Sequence, residues 1–148
     1  MEQNKAIITT VVIESYKNQL KNRNTIESLN KDFTKEKRDL FNEIIQIIDV
    51  FEKAEEIISE RQWNNSDESD KCIKRLLTAK TRTLSILERH KVARIQFEDN
   101  ISVDEFCKIL DVEPDSNKPN GYIISIEKHG YLHEGIILRE AEVIVVRN

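Results

Sequence analysis

The side chains best suited to chemistry in this 148-residue sequence are three histidines, two cysteines and an excess of carboxylates. His129 and His133 stand four residues apart, a spacing that binds a metal ion when both imidazoles share one helix face. Here they flank Gly130, so the sequence predicts solvated turn histidines and no metal site. Cys72 and Cys107 are far apart and fit no CxxC or Cys/His pattern. They read as small, half-buried apolar residues in a reducing compartment. The sequence contains no Gly-rich phosphate loop, HExxH, nucleophile elbow or DxDxDG loop. In so acidic a chain no carboxylate pair stands out as an acid/base couple. The expectation is a protein that binds, with no catalytic residues and no cofactor: not an enzyme.

The elements that must carry this binding divide the chain sharply. The first Pro is Pro114 and the first Gly is Gly121, so 113 residues run without either helix breaker. Gly supplies the φ > 0 of tight turns and Pro removes a backbone donor, so a chain lacking both can stay helical for a long way. From Ile26 the apolar residues Leu29, Phe33, Leu40, Ile44, Ile47, Ile48 and Phe51 fall at spacings of three, four and seven. Ile26, Phe33, Leu40 and Ile47 keep a strict seven-residue repeat, and Val12, Tyr16 and Leu20 extend the stripe upstream. The β-branched run Ile7 to Ile13 favours a strand in isolation.

A helix from about Ala6 to Ser59 would be on the order of 80 Å long at ~1.5 Å per residue. One chain of this size cannot cover such a stripe, so self-association through Ile26, Phe33, Leu40, Ile44, Ile47 and Phe51 is expected. Residues Gln62 to Asp70 form a polar break, with Ser66 placed to cap a second helix that ends in the basic turn Arg89-His90-Lys91. Trp63 in that break reads as a packing anchor. After Lys91 the apolar period falls to two, which suggests a strand near Val92; Phe106 to Val112 is one apolar run within an acidic segment, and Tyr122 to Ile126, Ile136 to Leu138 and Val143 to Val146 are the remaining strand candidates. Turns at Asn120-Gly121 and His129-Gly130-Tyr131 suggest hairpins.

The predicted class is α+β. A long N-terminal stalk helix and a second helix form a dimeric four-helix bundle (residues 1–91), and a small C-terminal β domain follows (residues 92–148). Net charge is −4, with 39% apolar and 34% charged residues, which argues against a general nucleic-acid binder. Between Lys17 and Arg38, seven Lys/Arg oppose three Asp/Glu. That stretch is either a contact surface for an acidic partner or a solvated helix face. No apolar run approaches the ~20 residues of a membrane span, and the N-terminus lacks a signal-peptide pattern, so a cytoplasmic location is expected.

The run Phe41-Asn42-Glu43-Ile44-Ile45-Gln46-Ile47-Ile48-Asp49-Val50-Phe51-Glu52-Lys53-Ala54 resembles the helical signature of GrpE, the nucleotide exchange factor family of DnaK-type chaperones. The C-terminal part resembles the same family's closing pattern: Gly121-Tyr122-Ile123-Ile124, His129-Gly130-Tyr131, Gly135, and Leu138-Arg139-Glu140-Ala141-Glu142-Val143-Ile144-Val145. The resemblance implies a homodimer that binds the nucleotide-binding domain of a DnaK-type chaperone and promotes ADP release. It places partner contacts at Lys31, Lys53, Ile57, Glu127, Gly130, Tyr131, Ile136, Arg139 and Val145. Gly130, Tyr131 and Arg139 have structural alternatives: turn geometry, core filling and an ion pair. Departures from the family pattern are Ile136 in place of an arginine, Glu127 at an often apolar position, Gln46 for a proline, and Arg75 and Lys91 where glycine is common. The segment Ser102 to Ile109 keeps almost nothing of the family's FDPxxHEA box. A GrpE-fold dimeric scaffold without exchange activity is the alternative function.

Overall fold

The computed structural model describes the backbone of residues 2–148 and the side chains of residues 7–148. Helix α1 spans Glu2–Glu60 and helix α2 spans Asp67–Arg89. Six strands follow: β1 (Val92–Arg94), β2 (Cys107–Glu113), β3 (Ile123–Lys128), β4 (Tyr131–His133), β5 (Ile136–Arg139) and β6 (Ala141–Val146). The fold is α+β, with two helices followed by a small β domain. Contacts divide the chain into two compact units, residues 1–40 and 41–148.

The described residues of unit 1–40 are helix alone. The β-branched run Ile7 to Ile13 is helical, because strand propensity is a preference for half-buried pleated surface and no sheet is offered there. Its described apolar side chains are left exposed: Ile26 is 58%, Leu29 61%, Phe33 66% and Leu40 54% exposed.

Unit 41–148 holds two apolar clusters. Phe41, Ile45 and Ile48 of α1 pack with Leu87 of α2, Val92 of β1, Tyr131 of β4 and Leu138 of β5, with Ile44 and Leu84 at the margin. The spacing of four and three among residues 41, 45 and 48 puts these side chains on one helix face. Each fully buried aliphatic side chain stabilises the unit by roughly 1.5–3 kcal/mol. Cys107, Ile123, Ala141, Val143 and Val145 form the second cluster, closed by Phe97.

Ser66 caps α2 with a reciprocal bond to Ser69: the Ser69 amide donates to Ser66 Oγ at 3.2 Å, and Ser69 Oγ accepts from the Ser66 amide at 3.2 Å. Asp67, Glu68 and Asp70 in the first turn favour the positive end of the helix dipole. At the other end Lys91 takes φ +60°, the left-handed conformation that terminates helices and favours glycine.

The strands form two sheets, ordered β1-β4-β5 and β2-β6-β3. This differs from a series of hairpins. Only β4 and β5 are a hairpin, closed by Glu134 (φ +52°) and Gly135 (φ +84°), the mirror-image turn that suits strand twist. Strand β6 lies parallel to β2 and antiparallel to β3, so Asn120-Gly121 joins two strands that pair with a third rather than with each other. The turn expected at His129-Gly130-Tyr131 is likewise elsewhere. Gly130 is buried between elements, where an added Cβ would stand 2.6 Å from both the Ala141 nitrogen and Ile95 Cδ1. Close approach of backbone, not reversal of the chain, requires glycine at this position.

Candidate functional site

Sheet β1-β4-β5 is fastened to the helices by an ionic seam built from side chains distant in sequence. Arg139 on β5 donates from Nη1 and Nη2 to the two carboxylate oxygens of Asp49 on α1, at 2.5 and 2.8 Å. Its Nε and Nη2 also donate to the His129 carbonyl, at 3.1 and 2.7 Å. The two-pronged pairing uses the planar guanidinium fork that a lysine lacks. Beside it, Arg94 of β1 pairs with Glu52 of α1 and donates from Nε to the Tyr131 hydroxyl at 3.1 Å. Lys80 of α2 reaches Glu55 at 2.5 Å and Glu52 at 4.0 Å. Tyr131 lies between the two arginines, whose guanidinium carbons are 5.9 and 5.6 Å from its ring centre. Burial pushes its phenol above the ordinary value, opposed by Arg94.

A cleft of about 410 Å³ opens along this seam. Its walls carry the α1 carboxylates Asp49, Glu52, Glu55 and Glu56 with Lys53, then Lys80 and Arg94, and from β3 and its end Ser125, Glu127 and His129. Lys53 pairs with Glu56, which raises the lysine's pKa. Ser125 Oγ donates to Glu127 at 2.8 Å. Burial, followed by the nearby Arg94 charge, lowers the pKa of His129. The arrangement is a mixed-charge cleft whose side chains are largely paired with one another.

The expected contact residues scatter over several environments. Lys53 and Glu127 come together on the cleft. Lys31 is exposed on the helical unit, and Ile136 is 68% exposed beside the β4–β5 turn. Ile57 lines a second, apolar cleft of about 550 Å³ with Ala54, Ile58, Trp63, Cys72, Ile73 and Leu76. Gly130, Tyr131 (1% exposed) and Val145 (3% exposed) are interior, and Arg139 is engaged by Asp49. Those four hold the β domain together and to the helices. Of the expected dimer positions, Ile26, Phe33, Leu40 and Ile47 are exposed, Phe51 is half-buried, and Ile44 packs on the unit's own core.

Neither β-domain histidine is a solvated turn residue. His129 lines the cleft, while His133 sits in β4 with its ring centre 5.0 Å from that of Phe41 and Nε2 buried without a partner. The reversal falls at Glu134-Gly135, which leaves His133 inside a strand. Among the described residues no group of three His, Cys, Asp or Glu is placed to hold a metal ion. Cys107 is buried and Cys72 exposed. Also among the described residues, no helix is long and apolar enough to cross a membrane.

Sequence reasoning missed Asp49, Glu52, Lys80 and Arg94 as seam residues. Two signals were available: Asp49 and Glu52 border the buried stripe Ile45-Ile48, and Lys80 falls between Leu77 and Leu84 on the inner face of α2.

The helix pair, the sheet pair and the Arg139 seam occur in a chain whose residues 5–147 match the family model described as GrpE. The chain belongs to the GrpE family. It is thereby a GrpE-type co-chaperone, a class that exchanges nucleotide rather than catalysing a bond change. Among curated proteins, none matches the chain. The family match spans both units, so the exposed stripe of unit 1–40 and the seam of unit 41–148 both belong to the GrpE-like region.

Proposed function

We propose that this chain is a homodimeric exchange factor that binds the nucleotide-binding domain of a DnaK-type chaperone in the cytoplasm and promotes ADP release. The family match over residues 5–147 carries this reading. Lys31, Lys53, Ile57, Glu127 and Ile136 have side chains that can reach a partner. Gly130, Tyr131, Arg139 and Val145 act behind them by fixing the β domain. The factor binds the open form of the chaperone more tightly than the closed form, and by linkage bound nucleotide weakens the factor equally.

Dimerisation is supported by the uncovered seven-residue repeat. With Ile26, Phe33 and Leu40 as a positions of a heptad, Asp32 falls at g and Lys37 at e. A parallel pair would set Asp32 opposite Lys37 of the second copy, whereas an antiparallel pair would bring like positions together. Light scattering tests this, and a monomer at micromolar concentration would contradict it.

A scaffold without exchange activity is the second reading. It is favoured by Ile136, an exposed apolar side chain where the family pattern carries an arginine, and by Glu127 at an often apolar position. Release of a fluorescent ADP analogue from the host's DnaK-type chaperones, with and without this protein, separates the two. Faster release from one of them is expected; acceleration on none leaves the scaffold.

A further inference from the structure

In unit 1–40, Lys17, Lys21, Asn24, Ser28, Lys31, Lys35 and Arg38 follow one another at spacings of four, three, four, three, four and three. On an α-helix this places all seven along one face. All seven are exposed, and the row holds five cations and no carboxylate. In the heptad that sets Ile26, Phe33 and Leu40 at a, the row occupies only c and f, the positions opposite the apolar seam. Covering the apolar stripe therefore leaves the row facing solvent.

Among the described residues, Lys17, Lys21, Lys31 and Lys35 take part in no ion pair, while the flanking Arg23 is matched by Glu27 at 3.4 Å. A helix stabilised by surface charge pairs would alternate signs at i and i+4. This face does not, although the whole chain carries net charge −4. The unmatched charge of Lys17, Lys21, Lys31 and Lys35 is thus concentrated on one strip roughly 27 Å long, at 1.5 Å per residue.

We propose that this row docks an acidic polypeptide segment of a partner protein. The strip is narrow and is bordered by the g-position carboxylates Asp32 and Asp39, which suits a narrow peptide and repels the broad phosphate surface of a duplex. A membrane surface fits poorly as well, because the apolar side chains that would enter it lie on the opposite face. Lys31 belongs both to this row and to the expected chaperone contacts; the other members do not, and the proposal does not depend on exchange activity.

The test uses the full chain and a fluorescein-labelled oligo-glutamate peptide, read by fluorescence anisotropy. Binding is expected, weakening as ionic strength passes about 0.15 M, where screening acts over ~8 Å. Replacing four cations together (Lys17→Gln, Lys21→Gln, Lys31→Gln, Lys35→Gln) is expected to weaken binding about tenfold or more, since each exposed pair is worth several tenths of a kcal/mol. The same four positions as Arg should keep affinity within about threefold, and this charge-preserving variant controls for any loss of helix seen by circular dichroism. Absence of peptide binding, or equal binding by the Gln and wild-type chains, overturns the proposal. So does tighter row-dependent binding of oligo-deoxythymidylate or of phosphatidylserine vesicles than of the peptide.

Discussion

Replacing Arg139 with Ala should detach the β domain from α1. The substitution removes two N–H donors to Asp49 and two to the His129 carbonyl, and leaves a carboxylate that is only 22% exposed without its partner. A hydrogen bond to a charged group is worth ~1.5–3 kcal/mol, and stranding a buried charge costs more. Partial exposure of both side chains screens the pair, so a net loss of about 2–4 kcal/mol is expected. At about 4 °C per kcal/mol for a unit of this size, the midpoint should fall by roughly 8–16 °C. Urea unfolding followed by far-ultraviolet circular dichroism measures the loss, with all variants at one protomer concentration because self-association would add to apparent stability. A double-mutant cycle with Asp49→Ala should give a coupling of about 1–3 kcal/mol. Arg139→Lys should fall between, since it keeps the charge and loses the fork. A loss below about 0.5 kcal/mol for Arg139→Ala, or additive single and double variants, would refute the seam as the fastening of the β domain.

Gly130→Ala should destabilise by about 1–3 kcal/mol in the same urea assay, because the new Cβ meets the Ala141 nitrogen at 2.6 Å and backbone must move. Lys91→Gly should stabilise by roughly 0.5–1 kcal/mol, as glycine adopts the φ of +60° without a Cβ penalty, and a lower urea midpoint would contradict this. The folded state lowers the pKa of His129, so the unfolded chain takes up its proton first as pH falls through 6.5. Stability should therefore be fully present above that pH and decline below it, and His129→Gln should flatten that part of the profile measured by thermal unfolding. Phe33→Asp should weaken self-association by about 3 kcal/mol, roughly a hundredfold in dissociation constant by analytical ultracentrifugation, since Phe33 is 66% exposed within its own chain.

Several features are written into local sequence. Helix α1 follows from a long run without Gly or Pro, and its apolar repeat at Ile26, Phe33 and Leu40 identifies the uncovered face. Ser66 announces the start of α2 because capping needs only side chains a few residues away. The change of period after Lys91 locates β1 at Val92–Arg94 for the same reason: alternation is a property of neighbours. The order of GrpE-like motifs along the chain identifies the family without any tertiary information.

Tertiary structure alone decided which of those residues meet. Local periodicity contains no information on which strands pair, so the parallel β2–β6 pairing, across a connection containing β3, β4 and β5, could not be read from it. Gly130 looks like a turn residue because glycine suits both turns and close backbone approach, and only the nearness of Ala141 and Ile95 separates the two. Tyr131, Arg139 and Val145 belong to a motif whose order implied surface contacts, yet burial and the 90-residue separation of Arg139 from Asp49 make them interior supports. What the sequence determined by itself are the elements, the apolar stripe and the family, all set by short-range spacing. The seam, the cleft and the division between exposed and interior residues arise from long-range packing, which spacing along the chain does not encode.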